Sequence, residues 1–151
     1  MEPFRNEPFS DFTQSHEQEA LRKALETVRG QLDQAYPLWI NGQPEWSDDR
    51  WIESYNPAQV DQRMGRVAQA DVNQAIRAIE AASRVRTEWA TVSVEDRARI
   101  LWRAAGIMRR RKHELSAWLV MEAGKTWPEA DGETAEAIDF LEYYGLSLIH
   151  I

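Results

Sequence analysis

Gly124-Lys125-Thr126 carries the residue types that close a phosphate-binding loop. Such a loop needs another glycine five residues earlier, because its backbone N–H groups must wrap the phosphates. That position is Leu119, and the residues before Gly124 follow helical spacing where a strand is required. The tripeptide instead reads as a helix stop at Gly124 and a new start. Thr126 and Glu129 stand at capping-box spacing, with Pro128 inside the first turn.

Arg109-Arg110-Arg111-Lys112 has the charge to grip a phosphate backbone. Four consecutive helical residues fan around the circumference, however, and cations near a helix end suit the macrodipole, so a solvated structural run is expected. His16, His113 and His150 share no metal-ligand spacing. The seven glycines include no G-x-G pair, so a dinucleotide fingerprint is absent. With no cysteine, disulfides, thiolate metal sites and a cysteine nucleophile are excluded within these 151 residues.

One acidic helix remains. Glu129, Asp131, Glu133, Glu136, Asp139 and Glu142 alternate with small and apolar residues. Buried unpaired carboxylates cost several kcal/mol, so most of them must face solvent. Glu136 and Asp139 are three residues apart and flank the Ala137-Ile138 apolar contact, a spacing compatible with either at the edge of a cleft. Spacing alone assigns them to a solvated face, and the residues by themselves show no catalytic apparatus.

The elements that position these residues are mostly helical. After an irregular lead-in over residues 1–14, Ser15 and Gln18 have capping-box spacing. Leu21, Ala24, Leu25, Val28 and Leu32 then form an apolar stripe. Asn41-Gly42 predicts a hairpin, "RWIESYNP" a second strand and "RMGRVAQA" a third, together a small antiparallel unit. From Asp71 a helix places Val72, Ala75, Ile76, Ile79, Ala82 and Trp89 on one face. Ser93 starts the next helix, whose stripe is Ile100, Leu101, Ala104, Ala105 and Met108, with helical spacing continuing to Gly124. The last helix buries Ala130, Ala137, Ile138, Leu141 and Tyr144.

Bulk properties fit one soluble domain. The 151 residues are 43% hydrophobic and 28% charged, with seven tryptophans, and the net charge of −7 argues against nucleic acid or an anionic membrane as partner. No apolar run approaches the ~18 residues of a membrane span, and the start lacks a signal-peptide pattern, so a cytoplasmic location is expected.

In order, "YPLWINGQ", "SYNPA", "DVNQAIRAIEAASRVRTEW", "DRARILWRAAGIMRRRKHEL" and "LVMEAGKTWPEAD" together resemble the N-terminal third of an aldehyde dehydrogenase. "EPFRNEPFSDFTQ" and "EADGETAEAIDFLEYY" narrow the resemblance to the branch that oxidises L-glutamate γ-semialdehyde to glutamate in proline breakdown. The resemblance implies an α/β parent fold, NAD as cofactor, a small aldehyde substrate and a homo-oligomer at full length. A cysteine thiolate would attack the aldehyde and a glutamate would activate water for thioester hydrolysis. Those groups belong further along than this sequence extends. The one role carried over is Glu136, in "AEAIDF", as partner of the substrate ammonium, with Asp139 as fallback.

The expected fragment is mainly α-helical with a small antiparallel β unit. Residues 15–145 are read as an incomplete part of the NAD-binding domain. After Gly145 the tail "LSLIHI" leaves the pattern, and residues 146–151 are read as non-native. Apolar stripes should lack partners, and the isolated polypeptide should fold poorly or oligomerise and show no dehydrogenase activity. The alternatives are a fragment of another aldehyde dehydrogenase and a stand-alone helical interaction protein.

Overall fold

The computed structural model describes residues 4–150. In chain order the elements are α1 (Ser15–Arg29), β1 (Gln34–Tyr36), β2 (Leu38–Ile40), β3 (Gln43–Glu45), β4 (Trp51–Asn56), β5 (Gln59–Ala68), α2 (Val72–Thr91), α3 (Val94–Arg110), α4 (Lys112–Ala123) and α5 (Trp127–His150). They divide into a helical unit, Met1–Gly30 with Ser93–Ile151, and a strand unit, Gln31–Val92.

In the strand unit, β2 and β3 pair antiparallel with Ile40 opposite Gln43, and the two residues between them, Asn41 (φ 53°) and Gly42 (φ 72°), are both left-handed. That backbone matches the strand twist and is why Asn-Gly marks a hairpin. β4 runs antiparallel to β5, with a register shift after Ser54. The sequence did not predict β1, which pairs parallel with β5. Its three residues, Gln34-Ala35-Tyr36, have no strand periodicity, and Asp33 N–H hooks onto the Met64 carbonyl at 3.1 Å to set the register.

α2 starts with the expected capping box, Gln74 N–H donating to Asp71 Oδ1 at 2.6 Å and Asp71 N–H to Gln74 Oε1 at 3.0 Å. Its apolar stripe is exposed at Val72, Ile76, Ile79 and Trp89, while Gln74 and Ala81 are buried.

In the helical unit, α1 buries Leu21, Leu25 and Val28. Its start differs from expectation: Gln14 is the N-cap, Ser15 is already helical, and Gln18 Nε2 donates to the Phe12 carbonyl. A turn closed by Asp11, which accepts from Thr13 N–H and Oγ1, makes the entry instead. α3 packs on α5 and α4 packs on α1 and α5. Small residues allow the close approach, since Ala98, Ala105, Ala117, Ala130 and Ala135 are all fully buried. On α3, Ile100 of the expected stripe is exposed, and on α5 Tyr144 is exposed while Ile138 is buried.

The expected single helix up to Gly124 is broken at Arg111 (φ −105°, ψ 16°), whose N–H is shared between the Ile107 and Met108 carbonyls. No glycine or proline signals the break; it falls where the chain, still packed on α5, begins to pack on α1 as well. α4 stops at Gly124 (φ 66°, ψ 24°), and Glu129 then accepts from Thr126 N–H at 3.0 Å and Thr126 Oγ1 at 2.7 Å. The Gly-Lys-Thr is therefore a helix stop and a cap. α5 continues through Gly145, where the Trp102 indole N–H lies 3.4 Å from the Glu142 carbonyl.

Candidate functional site

The α5 positions 129, 132, 133, 136 and 139 recur at helical spacing and line a groove of about 440 Å³, with Asn6 and Phe9 on its other side. Four carboxylates face it, and three are already engaged. Glu129 caps its own helix, and the Thr126 hydroxyl holds its carboxyl below the usual range. Glu133 pairs with Lys125. Asp139 accepts from Asn6 Nδ2 at 2.7 Å through Oδ2 and from Glu7 N–H at 2.6 Å through Oδ1. Glu136 is exposed and has no hydrogen-bond or ion-pair partner among the described residues. Glu136 and Asp139 thus share the groove but differ in availability.

The lead-in residues 4–14 form no helix or strand, so their position depends on side-chain anchors. Ser10 N–H donates to Asp131 Oδ2 at 2.8 Å, and Lys112 Nζ donates to the Pro8 carbonyl at 2.8 Å. Lys112 and Asp131 themselves pair at 2.9 Å with side chains 11% and 1% exposed. Arg109 bridges Glu7 at 2.6 Å and Glu142 at 3.2 Å, and the Glu7 bond holds its guanidinium above the usual value.

The basic run is structural as expected, but Lys112 is not solvated; it neutralises a buried carboxylate. Sequence reasoning missed this pair. A signal existed: Asp131 lies three, four and seven residues before Thr134, Ala135 and Ile138, which puts a carboxylate in the buried register of α5. His16 and His113 both flank Glu17, at 3.5 and 3.3 Å, and the side chain of His150 lies outside the described residues.

The described residues do not fit a dinucleotide. The β5-to-α2 connection, Gln69-Ala70-Asp71, has no glycine, and the Asp71 carboxylate occupies the helix N-terminus where a pyrophosphate would sit. No helix among the described residues is long and apolar enough to cross a membrane.

The sequence model of the aldehyde dehydrogenase family matches residues 44–151, and the chain belongs to that family. It is 49% identical over 151 residues to 1-pyrroline-5-carboxylate dehydrogenase 1 of Halalkalibacterium halodurans, covering 100% of this chain and 29% of that one. The 1-pyrroline-5-carboxylate dehydrogenase of Geobacillus kaustophilus is likewise 49% identical, with the same two coverages. Among solved structures, the 1-pyrroline-5-carboxylate dehydrogenase from Thermus with bound NAD superposes with a TM-score of 0.93 at 43% identity, covering 97% of this chain and 28% of that one. Proline utilization A from Bdellovibrio bacteriovorus superposes with a TM-score of 0.94 at 36% identity, over 98% of this chain and 15% of its own. The chain therefore spans under a third of the relatives it matches.

Proposed function

We propose that this chain is part of an NAD-dependent dehydrogenase that oxidises L-glutamate γ-semialdehyde to glutamate in proline breakdown, and that Glu136 binds the substrate ammonium. The likeness to 1-pyrroline-5-carboxylate dehydrogenases over the full 151 residues supports the reaction. The observation that carries the site is the free Glu136 carboxylate in a groove whose other carboxylates are engaged. An alkylammonium ion needs an acceptor that is not already neutralised, and Glu136 meets that condition.

Residues 15–145 are assigned to the NAD-binding domain in part, and the cytoplasm is the proposed location. The thiolate nucleophile lies outside this chain, which has no cysteine. NAD is the cofactor of the longer enzyme, and a homo-oligomer is its proposed state. The residues present here do not by themselves make a dinucleotide site.

The test is steady-state kinetics of the full-length enzyme containing this segment. Glu136→Gln should raise KM for glutamate semialdehyde on the order of tenfold or more, the scale of a lost charge-assisted hydrogen bond. KM for 5-oxopentanoate, the same chain without the amino group, should change little. Equal shifts for both aldehydes would remove Glu136 from the site.

A further inference from the structure

We infer that residues 6–9 are a strap that builds the second wall of the Glu136 groove. Asp139, acting through Asn6 and Glu7, is the positioning residue that sets that wall. This rests on the reading of Glu136 as the ammonium partner.

A helix face is convex, and positions 129, 132, 133, 136 and 139 of α5 make no cavity alone. Asn6 and Phe9 supply the opposing side. The strap has no backbone ladder of its own, so its anchors fix it: Asp139 holds Asn6 and Glu7, Arg109 holds Glu7, Lys112 holds Pro8, and Asp131 holds Ser10. These anchors bracket Phe9, a residue that is 75% exposed and lines the groove. An aromatic ring lining the groove is a surface against which an ammonium can rest, which suits an aldehyde carrying one. Both Asp139 oxygens are committed, one to Asn6 and one to Glu7, so Asp139 shapes the groove and Glu136 binds.

The experiment compares KM and kcat of the full-length enzyme for glutamate semialdehyde and 5-oxopentanoate. Asn6→Ala removes one side-chain hydrogen bond without changing any charge. We expect it to raise KM for the aminated substrate about fivefold, with kcat within twofold and KM for 5-oxopentanoate nearly constant. Asp139→Ala should do the same or more, and Asp139→Asn, which keeps one acceptor oxygen, should fall between wild type and Ala. Faster amide exchange at Glu7 should accompany each loss.

A selective shift in Glu136→Gln with none in Asn6→Ala overturns the strap and leaves the Glu136 reading standing. Equal effects of Asp139→Asn and Asp139→Ala with Asn6→Ala silent also overturn it, because charge rather than position would then be acting. No selective shift in Glu136→Gln sinks the underlying reading and the strap with it. If Asp139→Ala does not fold, Asn6→Ala, whose lost bond is at the surface, decides alone.

Discussion

The helical and strand units bury their apolar side chains to different degrees. In the helical unit Leu21, Val28, Ala98, Ala105, Ala117, Ala130, Ala135 and Ile138 are completely buried. In the strand unit Ile40, Met64, Ala68 and Ala81 are buried, while Trp39, Ile52, Val60, Val72 and Ile79 remain 59–80% exposed. Four helices can close an apolar stripe against one another, but two short sheets with one helix leave whole faces uncovered. One ion pair marks the same contrast. The helical unit holds Lys112–Asp131 out of water, whereas Arg63, between Asp33 and Glu53 in the strand unit, sits at the surface. The difference separates a unit that closes a core of its own from one that leaves apolar faces open.

The largest expected effect breaks the buried pair. Asp131→Ala leaves a desolvated ammonium and removes the acceptor of Ser10 N–H, at a cost of about 3–5 kcal/mol. Urea unfolding followed by the helical circular dichroism signal measures it. Replacing both partners, Lys112→Met with Asp131→Leu, should recover most of that loss, since a buried pair often trades evenly for apolar contact. A single-variant loss below about 1 kcal/mol, the value of an exposed pair, would erase the distinction between the units.

These features were unequally legible in the sequence. Capping signals connect residues three apart, so Asp71/Gln74, Ser93/Asp96 and Thr126/Glu129 were read correctly, as were the Asn41-Gly42 turn and the helix stop at Gly124. Ser15 failed because a competing Asp11 turn, made of equally ordinary residues, starts the helix one position earlier. What was missed joins distant positions: β1 with β5 across some thirty residues, Lys112 with Asp131, and Asn6 with Asp139. Helical spacing placed Glu136 and Asp139 on one face, but which carboxylate is free depends on a strap 133 residues away from Asp139, and no local pattern reports that.

Next in size is a contrast between two glycines of α5. A Cβ at Gly145 would sit against the Trp102 indole nitrogen and 2.8 Å from its Cδ1, so Gly145→Ala should destabilise by about 1–3 kcal/mol despite the better helix propensity of alanine. A Cβ at Gly132 meets nothing within 4 Å, so Gly132→Ala should stabilise by up to about 1 kcal/mol. Thermal melts of the two variants should move in opposite directions, and a gain for both would mean that α5 is not pressed on α3 at Trp102.

Acid should next loosen the strand unit at its edges. Backbone donation from Gln74 holds the Asp71 carboxyl below the usual range, and the Arg63 side chain does the same for Asp33. A carboxyl depressed in the folded state contributes stability above its unfolded pKa. That contribution is lost as pH falls through the lower folded value. The start of α2 should therefore fray only below the ordinary carboxylate range. The Gln74 amide chemical shift followed against pH checks this, and a midpoint inside the ordinary range would contradict it.

The smallest effect on stability is expected at the most exposed apolar positions, where it sharpens the comparison most. Ile79→Glu, on the uncovered face of α2, removes little buried contact and should change unfolding free energy by less than about 0.5 kcal/mol. Its effect should appear in association instead, because an exposed apolar stripe drives self-contact and a charge in its middle opposes it. Light scattering of the isolated 151-residue chain should show smaller particles for Ile79→Glu than for wild type at unchanged melting temperature. A drop in melting temperature comparable to that of Asp131→Ala would mean that the α2 face is already covered within the chain, and the two units would then differ in composition but not in self-sufficiency.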